Sequence, residues 1–325
     1  MIESFPFTID GKTSLQVFIG MNPFFLTEEN KPKLNQVLSL ADYNPNITVG
    51  FNFDMSHQSN SILQSLLATK SHLRVHFAST FEPNTIDLVF TFGGDGSVLW
   101  ANKALQNQPE AIYLSFNTGN LGYLSFMDIN NIEGVFSNLK AHFIDSSVPS
   151  NIYYSSYKKI RCDVKDCEEK VIKTLYAVNE IATNRIMNYS IIYKIYWNNI
   201  FLTSINADGL IFCSSLGSTA YNSSVQGPIL LQNNNNLIMS AIAPFGINLR
   251  SMVFSDIDTL RVEISEKAYG DVCQVMSDSN TNLDFKKGDA LEISIDHDNK
   301  INLASLNHNF DEQWVQKIAK IFKWN

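Results

Sequence analysis

The sequence predicts an α/β N-terminal domain with a Rossmann-like parallel sheet, then a β-rich C-terminal domain closed by a C-terminal helix. Three observations support this prediction: apolar runs alternate with helix-like stretches in the first half, strand-like runs dominate the second half, and the last segment has helical periodicity. At about 150 residues per domain, a chain of 325 residues is long enough for two domains.

The first half contains short apolar runs that have the length of strands. They lie at residues 15–20, 47–53, 73–77, 88–92 and 112–116. Helix-like stretches at 60–69 and 98–106 separate some of them. Strands that alternate with helices indicate βαβ units and a parallel sheet covered on both faces. The continuous apolar run Leu88–Phe92 fits such a covered strand.

The second half is rich in strand-like runs and has few helical periods before its end. The runs lie at 157–164, 171–178, 191–197, 201–205, 210–213, 260–264, 291–295 and 301–306. The dipeptides Asn198-Asn199 and Asp298-Asn299 are candidate hairpin turns between neighbouring runs. In the final segment, 311–322, apolar residues recur at i, i+4 and i+7 from Trp314, which predicts a helix.

A segment of small residues at 146–150 is typical of a linker and indicates a domain boundary near residues 145–155. We therefore expect an α/β domain over residues 1–148 and a β-rich domain over residues 149–308. Residues 309–325 are expected to form a helix that packs back on the N-terminal domain.

Charge composition narrows the class of partner. The net charge is −8 with a pI near 5.2, which argues against nucleic-acid binding and against binding to an anionic membrane. A local basic pocket for a phosphorylated small molecule is still compatible with this balance. No apolar window reaches about 18 residues, so we expect no transmembrane helix.

The first residues and the cysteines predict a cytoplasmic location. The N-terminal segment carries Glu3 and Asp10 and no arginine, and it has no apolar run after a positive region. It therefore resembles neither a secretory signal nor a mitochondrial transit peptide. The four cysteines form no CxxC pair, so we expect reduced thiols and no zinc site.

A glycine-rich turn, Gly93–Ser97 (GGDGS), follows the apolar run 88–92 and precedes a helix-like stretch. Glycines allow close backbone approach to a phosphate, and a helix start presents free N–H groups. Asp95 in this turn would hold a metal or take a proton from an attacking hydroxyl. The alternative interpretation is a simple turn.

The GGDG turn followed by Ser or Thr resembles a motif shared by NAD kinases, diacylglycerol and sphingosine kinases, and 6-phosphofructokinases. Further segments resemble the NAD kinase family in particular. They are 117–124 (NTGNLGYL), 177–180 (AVNE), 208–211 (DGLI), 217–221 (GSTAY) and 227–230 (GPIL). Their order is the family order, and together they span roughly residues 90–230. Asp278 is a weaker similarity.

The resemblance implies ATP-dependent phosphorylation of the adenosine ribose 2′-hydroxyl of NAD, giving NADP. It implies that Asp95 is the general base or a carboxylate close to the metal. Phosphate would be held by backbone N–H groups of Gly93, Gly94, Gly96 and Ser97. The residues implied to bind NAD are Asp95, Gly96, Tyr123, Asn179, Glu180, Asp208, Thr219, Ala220, Tyr221 and Ser224. Mg²⁺ or another divalent cation would be bound mainly through the nucleotide phosphates, and no protein side chain is assigned as its ligand.

Residue chemistry agrees with these implications. The Asn179 amide can donate and accept, and Glu180 can accept from a sugar hydroxyl, although the same pair could be a turn with a surface charge. Small residues, two hydroxyls and a ring suit the 217–221 loop to a nucleotide, although it could be an ordinary turn. Arg250 and His308 are weaker candidates for phosphate contacts.

The family resemblance also implies a homodimer or homotetramer, in which Asp208 would reach a neighbour's ligand. Two alternatives stay open. A lipid kinase with the GGDG turn is disfavoured by the acidic chain, and a nucleotide-binding regulator without catalysis is disfavoured by Asp95.

Overall fold

The computed structural model describes residues 5–6, 15–21, 27–39, 47–51, 61–68, 74–77, 82, 85–119, 122–145, 148–246, 249–278 and 280–323. The strands are β1 Phe5–Pro6, β2 Leu15–Met21, β3 Ile47–Phe51, β4 Arg74–Phe77, β5 Leu88–Phe92, β6 Ile112–Asn117, β7 Met127–Asp128, β8 Tyr153–Lys165, β9 Val171–Ala177, β10 Glu180–Arg185, β11 Ile191–Trp197, β12 Ile200–Ala207, β13 Gly209–Cys213, β14 Leu237–Ile242, β15 Met252–Phe254, β16 Leu260–Ile264, β17 Val272–Ser277, β18 Asn280–Lys286 and β19 Ala290–Ser305. The α-helices are α1 Lys31–Leu38, α2 Ser61–Ala68, α3 Asp95–Ala104, α4 Ile132–Ile144, α5 Tyr221–Ser224 and α6 Phe310–Phe322.

The chain divides into two compact units. The first consists of residues 1–156 together with 301–325, and the second consists of residues 157–300. No helix in the described ranges is long and apolar enough to cross a membrane.

The first unit is an α/β structure built on a parallel sheet in the order β4-β3-β2-β5-β6. The end of β19 adds to this sheet, parallel to β6, with Asn302 opposite Ile112. Strand β5 is buried along its whole length, as expected for an apolar strand covered on both faces. The predicted fold class of the N-terminal half is therefore confirmed.

The C-terminal helix α6 is amphipathic and belongs to the first unit. Asn309 caps its start by accepting a hydrogen bond from the backbone N–H of Glu312, and Lys323 ends it in the left-handed conformation. Phe310, Trp314 and Ile318 form its buried stripe. The predicted closing helix is confirmed, and it starts one residue earlier than expected.

The second unit is β-rich, as predicted. One antiparallel sheet has the order β15-β14-β13-β10-β17-β18, and β12, β11, β16 and the first half of β19 pair antiparallel in another. Asn198 and Asn199 join β11 to β12 with φ values of 48° and 66°. Two successive left-handed residues define a tight hairpin turn, so this predicted turn is confirmed.

The predicted hairpin at Asp298-Asn299 is wrong, because both of its strand-like runs belong to the single strand β19. The N–H groups of these two residues donate to the carboxylate of Asp296, at 2.9 and 3.1 Å. The Asp296 side chain thus accepts hydrogen bonds from the backbone N–H groups that would otherwise need partners in a turn. The strand continues, and its two ends pair with different neighbours, β16 and β6.

Candidate functional site

The glycine-rich turn lies between the carboxyl end of β5 and the N-terminus of α3. Gly93 has φ +146°, and a Cβ atom there would lie 2.1 Å from the Ser97 hydroxyl oxygen, so only glycine fits. Apart from chain neighbours and the backbone of α3 itself, no described residue has an atom within 4 Å of the position a Cβ would take on Gly94 or Gly96. The N–H of Gly93 donates to the Phe116 carbonyl and that of Ser97 to the Gly94 carbonyl, each at 3.0 Å. The turn therefore leaves open space beside Gly94 and Gly96 at a helix start, where the helix dipole favours an anion.

The Asp95 carboxylate is held by three consecutive backbone N–H groups. Its Oδ2 accepts from Tyr123 at 2.7 Å, and its Oδ1 accepts from Leu124 at 2.8 Å and from Ser125 at 3.3 Å. A Cβ at Gly122 would lie 2.3 Å from Oδ1, so the glycine makes room for the carboxylate. A carboxylate offers about four acceptor positions, and the three bonds leave one of them, on Oδ2, for a ligand.

Tyr123, beside this carboxylate, stays protonated at neutral pH. Burial, and after it the negative charge of Asp95, raise the pKa of the Tyr123 hydroxyl to about 12. Its oxygen is buried and has no hydrogen-bond partner within the described part of the chain. It is therefore a neutral hydroxyl that can donate to a ligand.

In the second unit, Asp278 holds the predicted Asn179-Glu180 pair. The Asp278 carboxylate accepts hydrogen bonds from the backbone N–H groups of Val178 at 2.8 Å, Asn179 at 2.8 Å and Glu180 at 3.2 Å. The N–H of Asp278 donates in return to the Glu180 carbonyl at 3.0 Å. Asp278 itself has φ +48°, a conformation that Asp tolerates better than most residues.

The side chains of Asn179 and Glu180 are buried with polar atoms unused. Asn179 Oδ1 and Glu180 Oε2 accept no hydrogen bond from any described residue. Burial, and after it the Asp278 charge, raise the pKa of Glu180 to about 8. Burial also raises the pKa of Asp278 to about 6, although the three N–H groups work against this rise. Buried polar atoms are normally paired, so these two oxygens fit a site that a ligand completes.

The Gly217–Tyr221 loop lies directly against the Asn179-Glu180 pair. It consists of a 3-10 helix, Leu216–Thr219, followed by α5. A Cβ at Gly217 would lie 2.0 Å from the Asn179 carbonyl oxygen, which shows how closely the two backbones approach. The Ser214 hydroxyl joins them, because it donates to the Val178 carbonyl at 2.6 Å and accepts from the Gly217 N–H at 3.2 Å.

The remaining loop residues predicted to contact a nucleotide are partly exposed. Thr219, Ala220 and Tyr221 are half-buried, and Ser224 is exposed. The hydroxyls of Thr219 and Ser224 donate to backbone carbonyls three residues earlier, at 3.2 and 2.8 Å. The hydroxyls of Thr219 and Ser224, both predicted to contact a nucleotide, thus already form hydrogen bonds within the loop.

Asp208 lies away from this cluster. Its carboxylate pairs with the Nε of Arg185 at 2.7 Å. Arg185 and Glu180 are the two ends of β10, about 16 Å apart at the usual rise per residue. The structure therefore does not join Asp208 to the Asn179-Glu180 pair.

The two weaker candidates for phosphate contacts, Arg250 and His308, are both exposed. The His308 ring lies 5.8 Å from the ring of Tyr153.

Sequence reasoning assigned no role to three residues that shape these sites. Gly122 and Asp278 lay within or near recognised motifs, but their contacts are long-range. Lys317 lies on the buried stripe of α6 and is only 8% exposed. The sequence pattern could have identified it, because Lys317 shares a helical face with the apolar residues Trp314 and Ile318. A lysine at such a position is rarely buried without a partner.

A metal ion would find few protein ligands here. Among the residues that the structure describes, no group of three or more His, Cys, Asp or Glu side chains could hold one. Mg²⁺ is commonly bound through one or two carboxylates together with substrate phosphates. The single Asp95 carboxylate at the glycine-rich turn fits that arrangement.

A parallel sheet with a glycine-rich turn between a strand end and a helix start is typical of nucleotide-binding α/β proteins. Residues 30–144 match the ATP-NAD kinase N-terminal domain, and residues 178–303 match the ATP-NAD kinase C-terminal domain. The chain is 30% identical over 236 residues to an NAD kinase of Picrophilus torridus, covering 72% of this chain and 79% of that protein. The chain belongs to the NAD kinase family.

One further relative and two solved structures with a similar fold are also found. A mitochondrial NADH kinase of Schizosaccharomyces pombe is 30% identical over 242 residues, which are 74% of this chain and 59% of that protein. The fold is similar to that of yeast NADH kinase solved with NADH, with a TM-score of 0.78 at 19% identity, covering 96% of this chain and 88% of that one. An Archaeoglobus fulgidus NAD kinase solved with ATP gives a TM-score of 0.61 at 17% identity, covering 95% and 99%.

Proposed function

We propose that this protein is an NAD kinase, which transfers the terminal phosphate of ATP to the adenosine ribose 2′-hydroxyl of NAD and so forms NADP. One observation carries the proposal. The Asp95 carboxylate is fixed by three backbone N–H groups at an open glycine-rich turn, with one acceptor position left on Oδ2. That position suits the proton of an attacking hydroxyl.

The proposed step is an in-line displacement at phosphorus. The 2′-hydroxyl oxygen forms a bond to the γ-phosphorus while the bond from that phosphorus to the ADP oxygen breaks. Asp95 takes the hydroxyl proton, and ADP leaves with the bonding electrons. Positioning and charge stabilisation supply most of the catalysis in such transfers. The backbone N–H groups of Gly94 and Gly96 are the proposed phosphate donors. The N–H of Gly93 already donates to the Phe116 carbonyl and that of Ser97 to the Gly94 carbonyl, each at 3.0 Å, so these two residues would shape the turn around the phosphate rather than donate to it.

Each unit by itself carries proposed NAD contacts. In the second unit, the unused oxygens of Asn179 and Glu180 would accept from ribose hydroxyls, and Thr219, Ala220, Tyr221 and Ser224 would line the base pocket. In the first unit, the Tyr123 hydroxyl would donate to the nucleotide. Arg250 and His308 remain proposed phosphate contacts, supported only by their charge or ring chemistry and their exposure.

Mg²⁺ or another divalent cation is the proposed cofactor. It would be held mainly through the nucleotide phosphates, and Asp95 is the carboxylate at the glycine-rich turn. When bound, the cation would neutralise phosphate charge.

We also propose a role for each of the three parts of the chain. Residues 1–148 would supply the phosphate loop, residues 149–308 the NAD site, and residues 309–325 a helix on the first domain.

A homodimer or homotetramer is also proposed, with Asp208 contributing to a neighbour's site. Sedimentation measures this directly, and a monomer with full activity would contradict it.

A cytoplasmic location is supported by four free cysteines, which are typical of a reducing compartment. A fluorescent fusion would distinguish the cytoplasm from mitochondria.

NADH is the second candidate acceptor, because the Schizosaccharomyces pombe relative is an NADH kinase. The purified protein is incubated with ATP, Mg²⁺ and either NAD or NADH, and the phosphorylated product is measured with an NADP-specific enzyme. Product from either acceptor supports the proposed reaction, and the ratio of kcat/KM values ranks the two acceptors. NAD binding without product would instead indicate a regulator, and no binding would overturn the proposal.

A further inference from the structure

The buried ammonium group of Lys317 lies behind the segment that holds Asp95. Lys317 Nζ donates to the carbonyl of Tyr123 at 3.1 Å and to the carbonyl of Ser125 at 2.9 Å. It also lies 3.8 Å from the centre of the Phe126 ring, and that ring packs edge-on against Phe310 of the same helix. The lysine is thus fixed by two carbonyls and an aromatic face.

One peptide unit connects this lysine to the carboxylate. The Tyr123 carbonyl and the Leu124 N–H belong to the same planar peptide, and in a trans peptide they point in opposite directions. Lys317 Nζ binds the carbonyl edge, and Asp95 Oδ1 accepts from the N–H edge at 2.8 Å. A cation on the carbonyl both fixes the plane and makes its N–H a stronger donor, because hydrogen bonds in a chain polarise one another.

Burial of this lysine is unfavourable for stability by itself. The side chain is 8% exposed on a stripe that Trp314 and Ile318 otherwise fill, and burial lowers the pKa of Lys317 to about 8 although the Asp95 charge works against this. An apolar residue of similar volume would keep the helix packed, but it would leave the Tyr123 and Ser125 carbonyls without this donor. A cation retained at such a position indicates a role other than packing.

We propose that Lys317 is a positioning residue, which holds the Asp95 carboxylate in its reactive orientation through the Tyr123–Leu124 peptide. This inference rests on the proposed function, in which Asp95 takes the proton of the attacking hydroxyl. Lys317 does not touch substrate in this scheme. Its effect on the reaction passes entirely through Asp95.

The test compares Lys317→Met with Lys320→Met, an exposed lysine on the same helix. Lys317→Met is expected to lower kcat about tenfold to a hundredfold, the range that a misplaced catalytic group produces. The KM for NAD is expected to change by no more than about twofold, because the lost interaction acts on the chemical step. Lys320→Met is expected to retain the kcat of the parent protein, and the melting temperature is measured for both variants.

A double-mutant cycle separates positioning from a general structural effect. In an Asp95→Asn background, Lys317→Met is expected to cause no further loss of kcat, because the group that it positions is already absent. An unchanged kcat in Lys317→Met, or the same fold-loss in both backgrounds, would overturn the inference. If Lys317→Met does not fold, Lys317→Gln and its double variant with Asp95→Asn are compared in the same way.

The outcomes also separate this inference from the proposed function. If the parent protein forms no phosphorylated product, or if Asp95→Asn keeps the parent kcat, the proposed reaction or the role of Asp95 fails. If the parent protein is active and Asp95→Asn is impaired while Lys317→Met is fully active, only the inference about Lys317 fails.

Discussion

Asp95 Oδ1 lies 2.8 Å from the backbone nitrogen of Leu124, 29 residues further along the chain. The same arrangement occurs in the second unit, where Asp278 Oδ1 lies 2.8 Å from the nitrogen of Asn179, 99 residues away. In both units one carboxylate accepts from three consecutive N–H groups. Each of these carboxylates fixes a loop that carries predicted ligand contacts, and charge-assisted bonds of this kind are among the stronger ones in proteins.

Asp95→Asn is expected to lower kcat by about two to four decades, the contribution of a general base. NAD binding measured by calorimetry should survive, because the Asn179-Glu180 contacts are unchanged. Asp128→Asn is the matched control. Asp128 caps a 3-10 helix in the same unit by accepting from the Asn130 N–H, and Asn is an equally good cap. An Asp95→Asn protein with the parent kcat would remove Asp95 from the role of base.

Asn179→Ala is expected to raise the KM for NAD about tenfold, since loss of one ligand hydrogen bond in a buried site costs about 1–2 kcal/mol. The KM for ATP should stay close to the parent value. Asn233→Ala, an exposed position in the asparagine run, serves as the control and should change neither constant. If only the ATP constant moved, the assignment of Asn179 to NAD would be reversed.

Glu180→Gln is expected to stabilise the protein at pH 8 but not at pH 5. Burial and Asp278 raise the pKa of Glu180 to about 8 in the folded state from an ordinary value of 4.5. Between these two values the folded chain keeps a proton that the unfolded chain releases, so stability falls as the pH rises. Glutamine removes this penalty, which is on the order of a few kcal/mol at pH 8.

Urea unfolding of the parent protein and the Glu180→Gln variant at the two pH values measures this difference. Exposed Glu266 provides the control variant Glu266→Gln, which should show no such pH-dependent gain. Equal stability of Glu180→Gln and the parent protein at pH 8 would mean that the Glu180 carboxylate is charged in the folded state without penalty.

Gly217→Ala is expected to destabilise the protein by about 2–3 kcal/mol, because the new Cβ would meet backbone atoms that cannot yield easily. The closest of these atoms, the Asn179 carbonyl oxygen, would be 2.0 Å away. The KM for NAD should rise as well, since the Asn179-Glu180 pair must shift.

Gly134→Ala is the matched control, because a Cβ on this exposed residue of α4 would meet no described residue within 4 Å beyond its chain neighbours and its own helix backbone. It should stabilise the protein by up to about 1 kcal/mol through higher helix propensity. A Gly217→Ala protein as stable as the parent would show that the loop does not need this close approach.

Much of the fold could be predicted from local patterns. The alternation of apolar runs and helical stretches identified the parallel sheet of the first unit, and Asn198-Asn199 identified a hairpin, because periodicity and turn chemistry act over a few residues. The same turn chemistry failed at Asp298-Asn299. There the Asp296 carboxylate accepts from both N–H groups and the strand runs on.

The sequence by itself determined the family, the glycine-rich turn and the Asn179-Glu180 pair, since each is a short contiguous motif. Only the tertiary structure decided what holds them. Asp278 meets residues about a hundred positions earlier, and Lys317 meets a loop 192 to 194 positions earlier. It also decided that Asp208 pairs with Arg185. Contacts at such separations depend on how strands and helices pack, and no local pattern of residues encodes that packing.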